Sequence, residues 1–218
     1  VMSYGRRNAV WAENYSSPAG FTEPLPRLLE AVSSIDGLKR VRFTSGHPLG
    51  CTDELVRAIA EIPQVCEHLH LPFQSGSDRI LKLMRRGYTS AQFSEAVDRL
   101  RAAAPEIAIT TDVIVGFPGE SQEDFEETAV FMENIGFDNA FIFKYSPRSG
   151  TKAAEWIDDV SAEEKLRRNK VLLEQQDRRG LRINRGLIGR TVEVLVEGES
   201  RRNSARWSGR TAGNKIVV

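Results

Sequence analysis

Apolar positions recur at helical spacing over residues 24–35 (Leu25, Leu28, Leu29, Val32, Ile35), then alternate with basic residues over 39–44, where Val41 and Phe43 interleave with Lys39, Arg40 and Arg42. The first pattern predicts a helix and the second a strand. A helix over 53–62 follows, with Thr52 as N-cap, then a strand over 68–73 and helices over 77–84 and 90–103, the latter capped by Ser90. Residues 107–117 (IAITTDVIVGF) are rich in β-branched side chains and give the strongest strand. Ser121, with Asp124 three residues on, opens a helix to about Ile135, and 139–145 reads as a fourth strand. A long charged helix spans 161–185, opened at Ser161. Short strand patterns at 191–196, 205–209 and 215–218 close the chain.

Strand–helix repetition predicts an α/β fold with a parallel sheet and helices outside it. A closed eight-strand barrel takes about 250 residues, so four visible strands imply a partial barrel or a fragment. In such folds the site lies at the C-terminal strand ends. Those ends read Ser45-Gly46-His47-Pro48, Gln74-Ser75-Gly76-Ser77, Gly116-Phe117-Pro118-Gly119-Glu120 and Ser146-Pro147-Arg148-Ser149-Gly150, all rich in Gly, Pro or polar residues.

Charge adds a division. The 30 basic and 30 acidic residues cancel. Residues 178–218 nevertheless carry ten basic against three acidic side chains, leaving 20 against 27 in residues 1–177. Such a split suggests a basic segment with an anionic partner on a more acidic body. With 40% hydrophobic residues the chain can bury a core. No apolar run approaches the roughly 20 residues of a membrane helix, and the start lacks the apolar core of a signal peptide. A cytoplasmic, reducing setting is the expectation, with no membrane partner. Both ends look cut from a longer protein.

The turn Gly116–Glu120 brings backbone N–H groups to a helix start, where an anion or polar group is favoured; a tight strand-to-helix turn without ligand explains it as well. Gln74, Ser75 and Ser77 offer donors and acceptors suited to a ribose or carboxylate, or Ser77 and Asp78 cap a helix. His47, His68 and His70 lack a recognisable metal spacing and suit packing or hydrogen bonding. Cys51 and Cys66, fifteen residues apart, read as structural thiols. Arg85-Arg86 reads as solvated surface. In the tail Arg201, Arg202, Arg206, Trp207, Arg210 and Lys215 combine cations with one aromatic, as phosphate neutralisation and base stacking require; a surface turn also accounts for Arg201-Arg202.

In order and spacing, Val41–Pro48, His70–Arg86, Thr111–Glu120 and Tyr145–Thr151 resemble the radical S-adenosylmethionine methylthiotransferases, and most of all the group that modifies tRNA beside the anticodon. The tail from about Gly189 resembles the start of the TRAM domain, a small RNA-binding β-barrel. The resemblance implies a radical SAM partial (β/α) barrel, here the last four of six strands, over residues 1–160. A connecting helix over 161–185 and a truncated TRAM barrel over 186–218 follow. It implies S-adenosylmethionine as cofactor, with Gln74, Ser75, Ser77, Asp112, Ile114, Val115, Gly116 and Glu120 about it. It implies tRNA as partner of a monomeric enzyme, met by the six tail residues and, unless it meets the cofactor instead, by Arg148, and a methylthio group added to C2 of an isopentenylated adenosine.

The resemblance also implies [4Fe–4S] clusters in a full-length parent, held by cysteines that this chain does not contain. Two thiols cannot supply the three that one cluster needs. The chain alone is therefore expected to hold no metal and to be inactive, and no residue is assigned to catalysis. Met2, in Met2-Ser3-Tyr4, departs from the Asn frequent in the family. A ribosomal-protein aspartate methylthiotransferase of the same family and a non-catalytic RNA-binding module remain as alternatives.

Overall fold

The computed structural model describes residues 15–44 and 46–218. Met2 and Ser45 therefore lie outside the described residues. Helix α1 (Pro24–Ser33) and α2 (Asp53–Glu61) precede strand β1 (His68–His70). Then come α3 (Asp78–Leu83), α4 (Ser90–Ala103), β2 (Ala108–Val115), α5 (Gln122–Ile135), β3 (Asn139–Lys144) and the long α6 (Ala162–Arg185). Strands β1, β2 and β3 form a parallel sheet in that order.

The caps explain the helix starts. Thr52, Ser121 and Ser161 each accept from the backbone N–H three residues on, and Ser121 with Asp124 completes a capping box. The start of α4 differs from expectation. Thr89, not Ser90, is its cap, because Gln92 sits where its amide can reach back to the Thr89 N–H.

The expected strand over 39–44 is reduced to one bridge, Val41 to Val65. Val41 N–H and C=O bond to Gln64 and Cys66, and Gly46 N–H reaches His70 O, so the segment does run beside β1. Backbone pairing goes no further, and the neighbouring side chains reach the tail: Arg40 bonds Arg210 O and Glu193, and Arg42 bonds Thr211 O and Ala212 O. Three strands, not four, therefore make the sheet. The strand expected over 68–73 also stops early, at His70, with one further bridge from Gln74 to Val113.

Alternation sorts the sheet into two faces. Leu69, Thr111, Val113, Val115 and Ala140 are buried beneath the helices, whereas Asp112, Ile114, Phe141 and Phe143 stay partly open on the other face. On the helical side Phe73 stacks on Phe131 with centroids 4.7 Å apart, and Phe93 and Phe137 close around the pair. Deleting one such fully buried ring costs about 3–5 kcal/mol. Helix α6 covers β3: Leu172 is fully buried, and Asn169 donates to Ile142 O.

The tail forms a second, antiparallel sheet of β4 (Val194–Ser200), β5 (Asn203–Thr211) and β6 (Ile216–Val217). It leaves Val196, Trp207, Ile216 and Val218 exposed. It meets the body through Arg40 and Arg42 and at Gly213, where an added Cβ would lie 3.2 Å from Ala108 Cβ at the start of β2.

Candidate functional site

A cavity of about 800 Å³ opens at the C-terminal ends of β1, β2 and β3. Gln74, Asp112, Ile114, Phe117, Tyr145 and Arg148 are among its lining residues. Gln74 is buried and has φ 77°, a left-handed conformation unusual for a side chain with a Cβ. Such strain, of order 1–3 kcal/mol, persists only where surroundings enforce it. Here β2 enforces it: Gln74 N–H donates to Asp112 O at 2.8 Å and its C=O accepts from Ile114 N–H at 3.0 Å. The twist turns Gln74 toward the cavity, and its side-chain amide bonds to no other described residue. Arg85, also on the cavity, has φ 55°.

Asp112 lies on the open face of β2. His70 Nε2 is 3.3 Å from its Oδ2, and His70 Nδ1 is 2.9 Å from Thr110 Oγ1. Thr110 in turn lies 3.4 Å from His68 Nε2, whose pKa is lowered to about 4 by burial and by the nearby Arg42, His70 and Arg210 charges. The imidazole of His70 thus fixes a carboxylate that faces the cavity. Phe117 meets Tyr145 and Trp156 edge-on at 5.2 and 5.8 Å, forming an aromatic wall.

Other expected residues turn inward. Ser77 Oγ donates to Asp124 Oδ1 at 2.6 Å, and Ser75 Oγ lies 3.2 Å from Thr128 Oγ1. Arg79 also binds Asp124, and Ser121 N–H donates to it. Burial works to raise the Asp124 pKa, but Arg79, Ser77 and Ser121 outweigh it and hold the carboxyl well below its usual range. Gly76 is required here: an added Cβ would sit 2.6 Å from Thr128 Cα. Val115 faces the helices.

The Gly116–Glu120 turn is closed on itself. Gly116, at φ 70°, donates its N–H to Glu120 Oε2 at 2.6 Å. Arg168 from α6 reaches the same oxygen at 2.7 Å and Glu120 O at 3.0 Å. Burial raises the Glu120 pKa, and Gly116 and Arg168 offset this only in part. Lys165 lies across Gly116 and binds Asp158 at 2.6 Å. The structure thus brings Gln74, Asp112, Ile114 and Arg148 to one cavity, sets Ser75, Ser77, Gly116 and Glu120 in its supporting turns, and buries Val115 of β2 beneath the helices.

The tail residues lie elsewhere. Arg210 bonds Glu197 and Asn214, and Lys215 bonds Asn184. Arg201, Arg202, Arg206 and Trp207 are exposed. His70 has the hydrogen-bonding role expected of it, but its pairing with Asp112 was not foreseen, and Arg168 was missed. The shared open face of His70 and Asp112 on adjacent strands was a usable signal for the first; no local signal marked the second. Cys51 and Cys66 are buried and free, and burial pushes the Cys51 thiol up to about 12. Among the described residues no group of three or more His, Cys, Asp or Glu could hold a metal ion.

The sequence pattern of the Radical SAM superfamily matches residues 18–132, which contain β1, β2 and the Gly116–Glu120 turn. The chain belongs to the radical SAM superfamily. Relatives within it include proteins from Methylacidiphilum infernorum (48% identical), Akkermansia muciniphila (46%) and Moorella thermoacetica (49%), each named tRNA-2-methylthio-N(6)-dimethylallyladenosine synthase. The matches cover 100%, 100% and 88% of this chain but only 45%, 46% and 43% of the relatives. The chain therefore spans about half the length of the curated relatives it matches. The radical SAM enzyme coproporphyrinogen III oxidase (HemN) from Escherichia coli has a similar fold. Its TM-score is 0.57 at 15% identity, over 76% of this chain and 39% of that one.

Proposed function

We propose that this chain is the cofactor-cavity portion of a radical SAM methylthiotransferase that modifies an adenosine of tRNA. One observation carries the reading: the strained, buried Gln74 and the His70-fixed Asp112 meet in a cavity at the strand ends of a radical SAM sheet. The relatives' shared name supplies the reaction class and the substrate.

S-Adenosylmethionine fits the donor set. Gln74 would hydrogen-bond its polar edge and Asp112 its hydroxyls or ammonium, while Ile114 and Phe117 offer apolar surface for a flat base. Bound beside a reduced cluster, the cofactor supplies the power to break an unreactive C–H bond. The protein's contribution is orientation and exclusion of water. A [4Fe–4S] cluster does not fit this chain, whose two cysteines fall short of the three thiolates needed, so no step is derived through one. The buried turns support the cavity: Arg168 and Glu120 fix Gly116, and Asp124 fixes Ser77. Residues 186–218 are proposed as an RNA-binding β unit that presents Arg201, Arg202, Arg206 and Trp207.

The test uses the full-length parent in a cell deleted for it. Mass spectrometry of bulk tRNA nucleosides should show the methylthiolated adenosine restored by the wild-type gene and not by Asp112→Asn. Restoration of a modified ribosomal-protein aspartate instead would move the assignment to the protein-modifying group.

A further inference from the structure

The cavity carries a charge that its cofactor does not explain. Arg85, Arg86, Lys144, Arg148 and Lys152 all line it, against the single carboxylate of Asp112. None of the five has an ion-pair partner among the described residues, and Arg86 Nε is buried without a hydrogen bond. Elsewhere in the body exposed arginines do find acids: Arg99 with Asp53, Arg167 with Glu164. S-Adenosylmethionine itself is a net cation, since its sulfonium and ammonium outnumber its carboxylate. A concave rim of unpaired cations repels such a ligand and focuses a field suited to anions.

The tail docks on the body at the other end of β2 from the cavity. It touches the body at Ala108, six residues before Ile114 on β2, which is roughly 20 Å at the rise of a strand. Beside the cations, Phe143 and Trp156 stand 52% and 39% exposed, offering faces on which a base can stack. Cations plus exposed rings are what single-stranded nucleic acid requires.

We infer that the cavity rim formed by Arg85, Arg86, Lys144, Arg148 and Lys152 is a phosphate-binding subsite that grips the RNA backbone flanking the base delivered into the cavity. The inference rests on the proposed tRNA substrate and moves the decisive phosphate contacts from the tail to the rim.

Fluorescence anisotropy on this chain tests it, with a labelled hairpin RNA bearing an adenosine-rich loop, titrated over a series of salt concentrations. The triple variant Arg85→Gln/Arg86→Gln/Arg148→Gln should bind about tenfold more weakly at low salt. Its plot of log affinity against log salt should be shallower by about 2, the share of three lost phosphate contacts. The corresponding triple Lys variant should keep the wild-type slope. Single Arg148→Gln gives a smaller loss in the same direction and serves if the triple variant melts early. Wild-type affinity and slope in the triple Gln variant, with binding lost instead in Arg201→Gln/Arg202→Gln/Arg206→Gln, overturns the rim assignment while leaving the RNA reading intact. No RNA binding by the wild type, with an acidic peptide bound at the rim, overturns both.

Discussion

Gln74 and Ser75 are adjacent in sequence and opposite in role. Gln74 is twisted out of the strand with an unspent amide facing a cavity; Ser75 is fully buried against Thr128. The same contrast divides the whole region. Asp112, Ile114 and Arg148 line open space, whereas Ser77, Gly116 and Glu120 are consumed by Asp124 and Arg168. Polar residues near a strand end thus serve two purposes, and composition alone does not separate them. What separates them is whether another part of the chain already satisfies the group.

The largest effect is expected at Arg168. Arg168→Met leaves Glu120 buried without its cation, and should cost about 3–5 kcal/mol in denaturant unfolding. Adding Glu120→Gln should recover much of that loss. A cost below about 1 kcal/mol would mean that the turn is held by something other than this pair.

Asp124→Ala removes the acceptor for Ser77, Arg79 and Ser121 and should cost about 2–3 kcal/mol near neutral pH. The Asp124 pKa is depressed in the fold, so its contribution is complete above the ordinary value of 3.8 and is lost as pH falls further. The gap between wild type and variant should therefore close in strong acid. A gap unchanged by acid would separate the stabilisation from the carboxylate's charge. Gly76→Ala should cost roughly 1–3 kcal/mol, since its Cβ meets helix backbone that cannot step aside.

Much of the fold was legible locally. Helix starts at Thr52, Ser121 and Ser161 depend on neighbours three residues away, and β2 announces itself by its β-branched run. The edge segment at 39–44 alternates like a strand but pairs at Val41 alone, and its arginines bond to tail carbonyls about 170 residues later, partners no periodicity reveals. The position of the cavity was legible as a row of strand ends. The division between lining and support was not, because Arg168 reaches Glu120 from 48 residues away. Arg85 and Arg86 read as ordinary surface until the fold set them beside Arg148.

Calorimetric titration of S-adenosylmethionine into this chain, paired with thermal unfolding, separates an Asp112 that meets the ligand from a Ser77 that only supports the cavity. Asp112→Asn should weaken binding by about tenfold, the loss of one charged hydrogen bond, and leave the unfolding midpoint unchanged. Ser77→Ala should lower the midpoint and leave the affinity unchanged. Loss of binding in Ser77→Ala with full affinity in Asp112→Asn would reverse these two roles.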